Sequence, residues 1–127
     1  MAVLATPLIS LAVTPARTEV GYWARYTQEF FTYRNINPDP WLKIVQCESG
    51  FDVNAYNSLT HDKGLAQINR LHWSAMKKMG LDIKNPEHQL LYSLILYQRN
   101  GFRDWSASAK CQSSPKTTQR IKAILDG

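Results

Sequence analysis

Cys47-Glu48-Ser49-Gly50-Phe51, followed after Asp52–Lys63 by Gly64-Leu65-Ala66-Gln67-Ile68-Asn69, is the stretch whose reading decides the fold. Around its first half, Trp41, Ile44, Val45 and Glu48 fall at the i, i+3, i+4, i+7 positions of one helix face. The carboxyl therefore sits at the end of an apolar stripe, on a helix that Gly50 ends. The second half is rich in glycine and side-chain amides, the groups that line a polar cleft without adding charge.

Working outward, Glu19 to Asn35 reads as a first helix. Val20, Trp23, Ala24, Thr27, Phe30 and Phe31 form its apolar stripe. Asn37-Pro38-Asp39-Pro40 breaks it, and Asp39 before Pro40 makes an N-cap for a second helix over Pro40–Ser49. Asp52 to Lys63 is polar and reads as a loop or small hairpin. A third helix spans Leu71–Met79 and stops at Gly80. A fourth starts at the Asn85 cap with Pro86 in the first turn, presents Leu90, Leu91, Leu94, Ile95 and Tyr97, and ends at Gly101. The last begins at Ser114-Pro115 and carries Ile121, Ile124 and Leu125. The expected architecture is mainly α: a helical domain over residues 19–127 with one polar excursion forming a cleft, of the α+β kind.

The 127 residues suit one domain, and 44% hydrophobic with 20% charged residues is a globular composition. The net charge of +5 favours polyanionic partners, either nucleic acid, anionic membranes or acidic wall polymers. The basic residues are scattered, with Lys77-Lys78 the longest run, and do not interleave with aromatics as in a single-strand nucleic-acid platform. Residues 1–18 form an N-terminal arm or a weak signal-like segment. Met1–Val13 is apolar, but no Lys or Arg precedes it and Pro7 interrupts it. It is too short to span a bilayer as a helix. His61, His72 and His88 lack metal-ligand spacing and read as surface residues, and no phosphate loop or Ser–His–Asp signature is visible. No metal or cofactor is expected. Cys47 and Cys111 are a disulfide in an oxidising compartment or two thiols in a reducing one.

If the face bearing Glu48 packs inward, desolvation raises the carboxyl's pKa. A carboxylic acid kept protonated near neutral pH can protonate a glycosidic oxygen as it leaves. The ordered pair Glu48-Ser49-Gly50-Phe51 and Gly64-Leu65-Ala66-Gln67-Ile68-Asn69 resembles the lysozyme-like superfamily. That group includes lytic transglycosylases with E-S-G-F and G-L-x-Q-I motifs, and animal-type lysozymes with D-x-G-[IL]-x-Q-I-N. The match runs from about Trp41 to Cys111.

The resemblance implies a peptidoglycan glycosidase that cuts the β-1,4 bond between N-acetylmuramic acid and N-acetylglucosamine, with Glu48 as general acid/base. It implies Trp105, within Asn100-Gly101-Phe102-Arg103-Asp104-Trp105, as the wall against Glu48, and Gly64 as a point of close backbone approach to Glu48 or the substrate. Gln67, Asn69, Trp73 and Ser49 become candidates for substrate contact, Ser49 either beside the acid or merely ending its helix. Resuscitation-promoting factors also place a Cys directly before the catalytic Glu, which implies a Cys47–Cys111 disulfide and an extracytoplasmic destination, either secreted, periplasmic or virion-associated.

Asp62 is the candidate second carboxylate, two residues before Gly64 as in animal-type lysozymes. Its spacing of fourteen from Glu48 is a few residues shorter than in that family. A retaining hydrolase needs its second carboxylate about 5–5.5 Å from the acid, and an inverting one about 6.5–9.5 Å. Lytic transglycosylases need only one. Asp52, four residues from Glu48, is a weaker candidate. Glu48-Ser49-Gly50-Phe51 favours the transglycosylase, whereas Asp62 and Asn69 point to a hydrolytic lysozyme. The expected partners are glycan strands of peptidoglycan, not nucleic acid and not a stably spanned membrane. The rivals are a structural component of a virion or secretion machine on the same fold, and a nucleic-acid binder resting on charge alone.

Overall fold

A computed structural model describes residues 16–127. Apart from its last three residues, the segment 1–18 lies outside them. Helix α1 (Ala16–Tyr33) starts three residues before the expected Glu19. Ala24, Thr27, Phe30 and Phe31 are buried along the expected stripe, and Val20 and Trp23 pack partly against it. The buried Thr27 hydroxyl donates to the Trp23 carbonyl at 2.8 Å, so it carries no unpaired polar group into the core. Asn35, read as the last helical residue, instead turns left-handed at φ 59°. Asn35 N then donates to Thr32 O and Ile36 N to Phe31 O, the bond pair of a Schellman stop.

Helix α2 (Asp39–Ser49) buries Trp41, Leu42, Ile44 and Val45. Asp39 is not its N-cap. Asp39 is already helical, and the Asn37 carboxamide oxygen accepts its backbone N–H at 3.1 Å. Gly50 ends the helix at φ 63°, as expected. Trp41 stacks on Phe31 with centroids 4.4 Å apart and meets Trp105 edge-on at 5.4 Å. These contacts join α1, α2 and the C-terminal third in one aromatic layer.

The polar excursion is a small antiparallel sheet, β1 (Tyr56–Asn57), β2 (Asp62–Lys63) and β3 (Ile68–Asn69), in the order β1-β2-β3. Its register pairs Tyr56 with Lys63 and Asp62 with Asn69. The expected helix over Leu71–Met79 opens instead as a 3-10 turn (Arg70–His72) and becomes α3 only at Trp73–Lys78. Asn69 is the reason, since its side chain caps the turn by accepting from Leu71 N at 3.0 Å.

Helix α4 (Pro86–Asn100) is capped by Asn85, which accepts from Glu87 N and His88 N. Its buried face is Gln89, Leu90, Tyr92, Ser93 and Leu96, so of the predicted Leu90, Leu91, Leu94, Ile95 and Tyr97 only Leu90 is fully buried. Leu91, Leu94 and Ile95 lie on the flank, and Tyr97 is exposed beside Phe102. The polar residues enter the core because each is paired there. Ser93 Oγ donates to Gln89 O at 2.8 Å. Gln89 Oε1 accepts from Leu65 N at 2.8 Å, while its Nε2 donates to Ile83 O at 2.8 Å and Val53 O at 3.3 Å.

A 3-10 segment (Arg103–Ser108), α5 (Ala109–Gln112) and α6 (Pro115–Asp126) complete the fold. Cys47 and Cys111 form a disulfide across 64 residues with Cα atoms 6.0 Å apart. Thr117 of α6 donates to the Cys111 carbonyl at 2.7 Å and anchors that end. The architecture is mainly helical with one small sheet, as the helix stripes and the polar excursion predict. Among the described residues no helix is long and apolar enough to cross a membrane.

Gly64 faces Gln89. A Cβ there would stand 2.6 Å from Gln89 Oε1, and φ is +89°. The close approach is therefore to the carboxamide that positions the segment. Gly64→Ala is expected to cost about 2–3 kcal/mol through backbone strain and displacement of that amide. Urea unfolding checks this, and an unchanged midpoint would contradict it. Replacing both cysteines by serine relaxes the unfolded chain and should cost up to about 4 kcal/mol, visible as a fall in the thermal midpoint.

Candidate functional site

The Gly64–Asn69 segment is held carbonyl by carbonyl. Gln67 Nε2 donates to Gly64 O at 3.0 Å and to Ala55 O at 3.1 Å. Ser49 Oγ, from the end of α2, donates to Leu65 O at 2.7 Å, with Val45 O as a second acceptor within reach at 3.2 Å. Trp105 Nε1 donates to Ala66 O at 3.0 Å, and Trp73 Nε1 to Ile68 O at 3.1 Å. Trp105 is buried, and Trp73 is half-buried at the start of α3. Ser49, Gln67, Trp73 and Trp105 thus commit their donors to one strip of backbone that passes the end of the catalytic-candidate helix. Gln67 adopts φ 55° to do so, a left-handed conformation unusual for a side-chain-bearing residue.

Glu48 is half-buried at the last turn of α2, next to the disulfide. Burial pushes its carboxyl above the ordinary glutamate range. A hydrogen bond from Ser108 opposes this, and the charge of Asp62 adds to the rise. Ser108 Oγ donates to Glu48 Oε2 at 2.7 Å. Behind it, Gln112 Nε2 donates to Ser108 Oγ at 2.8 Å and to Trp105 O at 3.0 Å. Neither Ser108 nor Gln112 carries a signal in the sequence. Each lies in a short polar stretch and reaches Glu48 only through chain reversal. Their nearness to Cys111 was the one available pointer, since a Cys47 bridge must bring that stretch to Glu48.

Asp62 sits on β2, and both its oxygens are occupied within the hairpin. Thr60 Oγ1 donates to Oδ2 at 2.7 Å and Asn69 Nδ2 to Oδ1 at 2.9 Å. Asn69 also donates to Thr60 O at 2.8 Å, so both of its polar atoms serve the loop and the turn that follows. Asp52 is exposed and accepts from Asn54 N at 2.8 Å, a loop-stabilising turn. The three histidines, expected on the surface, are half-buried and separately engaged. His61 pairs with Tyr56 (2.7 Å), His72 with Tyr92 (3.2 Å), and His88 accepts from Asp82 N (3.0 Å). Among the described residues, no three His, Cys, Asp or Glu side chains are grouped to hold a metal ion.

The site therefore offers a half-desolvated carboxyl and a hydroxyl aimed at one of its oxygens. A fixed backbone strip runs beside it, with a second carboxylate anchored in the hairpin. That combination suits proton donation to a leaving oxygen. Because Glu48 binds its proton more tightly when folded, ionisation in the native state lowers stability. Its contribution favours folding below the ordinary glutamate pKa and is lost as pH rises through the raised folded value. Glu48→Gln should therefore raise the melting temperature at pH 7, with the gain shrinking as pH falls through the raised folded value and levelling off below the ordinary glutamate range. Melting curves across pH test this, and a pH-independent difference would refute it.

The family model described as the transglycosylase SLT domain matches residues 25–94, more than half of the chain. No curated protein and no solved structure matches.

Proposed function

The chain belongs to the transglycosylase SLT domain family and is an enzyme acting on peptidoglycan, and from that premise we propose that Glu48 is the sole catalytic carboxyl of a lytic transglycosylase. Protonated Glu48 gives its proton to the β-1,4 glycosidic oxygen between N-acetylmuramic acid and N-acetylglucosamine as the C1–O bond breaks. The N-acetyl group of the muramoyl residue assists at C1. The Glu48 carboxylate then takes the proton from that sugar's 6-hydroxyl while O6 bonds to C1. The product ends in a 1,6-anhydro ring, no water is consumed, and Glu48 is again protonated.

The observation that carries this reading is the environment of Glu48, half-buried, with burial raising its pKa above the ordinary glutamate range and so favouring the acid form. The bonds from Thr60 and Asn69 to Asp62 support the one-carboxyl route, since they draw on the electron density a nucleophile would use and anchor the group in the hairpin. In this reading Asp62 acts on Glu48 through its charge. One observation favours a hydrolytic lysozyme as the second reading: Asp62 is close enough for its charge to be felt at Glu48. The Ser49, Gln67, Asn69 and Trp73 side chains shape the glycan-binding wall mainly by fixing its backbone, with their remaining faces available to N-acetyl sugars.

The disulfide, of a kind that persists in oxidising compartments, supports an extracytoplasmic site of action, either secreted, periplasmic or virion-associated. The net charge of +5 suits an anionic wall polymer, and the scatter of the basic residues, without interleaved aromatics, weighs against nucleic acid. A purely structural part in a virion or secretion machine is the remaining alternative, and an intact Glu48 weighs against it.

Two measurements test the proposal. Glu48→Gln should lower turnover on purified peptidoglycan by about 10²–10⁴-fold, the usual worth of a general acid/base. Retained activity would sink the mechanism. Mass spectrometry of the digest should show anhydro-muropeptides, whereas reducing ends would assign the reaction to a hydrolase. In that case Asp62→Asn should be as damaging as Glu48→Gln.

A further inference from the structure

Ser108 has one proton and two acceptors within reach, Glu48 Oε2 at 2.7 Å and the Trp105 carbonyl at 3.3 Å. Gln112 decides between them. One carboxamide N–H satisfies the Trp105 carbonyl at 3.0 Å, and the other occupies a lone pair of Ser108 Oγ at 2.8 Å. With the carbonyl supplied and the lone pair filled, the Ser108 proton is left for Glu48. Gln112 is the residue after Cys111, and Glu48 the residue after Cys47, so the disulfide ties the two ends of this chain of bonds together.

Resting on the reading of Glu48 as the acid, we propose that Ser108 and Gln112 are positioning residues. In this relay Gln112 turns the Ser108 hydroxyl onto Glu48 Oε2, leaving Oε1 to carry the proton transferred to the leaving sugar. Donation to one oxygen fixes the rotation of the carboxyl and the identity of its proton-bearing atom. That matters in the transition state, where proton and leaving oxygen must be aligned, more than in binding. The bond also favours the charged form that must exist between the two steps, and it polarises along the chain from Gln112.

The test compares Ser108→Ala, Ser108→Thr and Gln112→Leu on a soluble oligomer of alternating N-acetylglucosamine and N-acetylmuramic acid, at fixed salt. Gln112 lines an open cleft of about 470 Å³ with Asp39, Lys43 and Ser113, so a leucine there does not disturb a packed core. Melting curves confirm folding. Ser108→Ala and Gln112→Leu should each lower kcat by about tenfold, in line with one hydrogen bond to a charged group, with KM little changed. Because the Ser108 bond holds the Glu48 pKa down, losing it should move the alkaline limb of the pH–rate profile upward. Gln112→Leu should shift it less. Ser108→Thr keeps the hydroxyl and should restore both kcat and the limb. A Gln112→Leu enzyme with wild-type kcat and limb overturns the relay, whatever Ser108→Ala does. If Glu48→Gln itself stays active, the underlying reading of the acid fails instead, so the two failures are distinguishable.

Discussion

The fold depends on how four side chains from separate elements, with Gln67 of the segment itself, hold the backbone of Gly64–Ile68. Ser49, Gln67, Trp73 and Trp105 each donate to one of its carbonyls, while Gln89 accepts from its Leu65 N–H. A strand-like segment with no long sheet to pair with would otherwise bury backbone groups without partners, at a cost comparable to a lost hydrogen bond each. Here α2, α3, α4 and the 3-10 segment before α5 each supply one answer. The same bonds fix where the segment lies relative to Glu48, so stability and site geometry have one origin. Gly64 belongs to this arrangement because only a residue without Cβ leaves room for the Gln89 carboxamide.

Glu48 shows how one carboxyl is tuned by opposed influences. Burial and the Asp62 charge both disfavour ionisation, and the Ser108 bond favours it. The outcome is an acid whose proton is held above the ordinary range yet remains transferable, which is what an agent that alternates between giving and taking a proton needs. Asp62 is kept in place by Thr60 and Asn69 on the facing strand, so its field at Glu48 is fixed by the register of three two-residue strands.

Much of this was legible in the sequence wherever the signal was local. The stripe ending at Glu48, the Gly50 stop and the Asn85-Pro86 start all follow from spacing and capping chemistry, and all three are present. The Cys47–Cys111 bridge came from resemblance alone, and it too is present. What escaped was long-range polar pairing. Gln89 and Ser93 look like surface residues on a leucine-rich helix, yet they are buried because their partners lie elsewhere or one turn back. That exchange rotated the buried face of α4 away from Leu91, Leu94 and Ile95. Asp39 and Asn35 were misread for a related reason, because two neighbouring residues compete for each helix end and only geometry decides. Ser108 and Gln112 have no periodic context at all.

The bond from Ser108 to Glu48 spans sixty positions of chain, and that from Trp105 to Ala66 spans thirty-nine. The centre is thus assembled from segments that leave the ribosome at different times. When Glu48 and the glycine-bearing segment first emerge, the tryptophan that secures the segment and the hydroxyl that orients the acid have not yet been made. Closing such long loops is entropically slow, and the reward arrives only once Trp105 and Ser108 have emerged. A copy that stops short of Trp105 and Ser108 therefore carries the acid without its fittings, and the centre is complete only once both have been made.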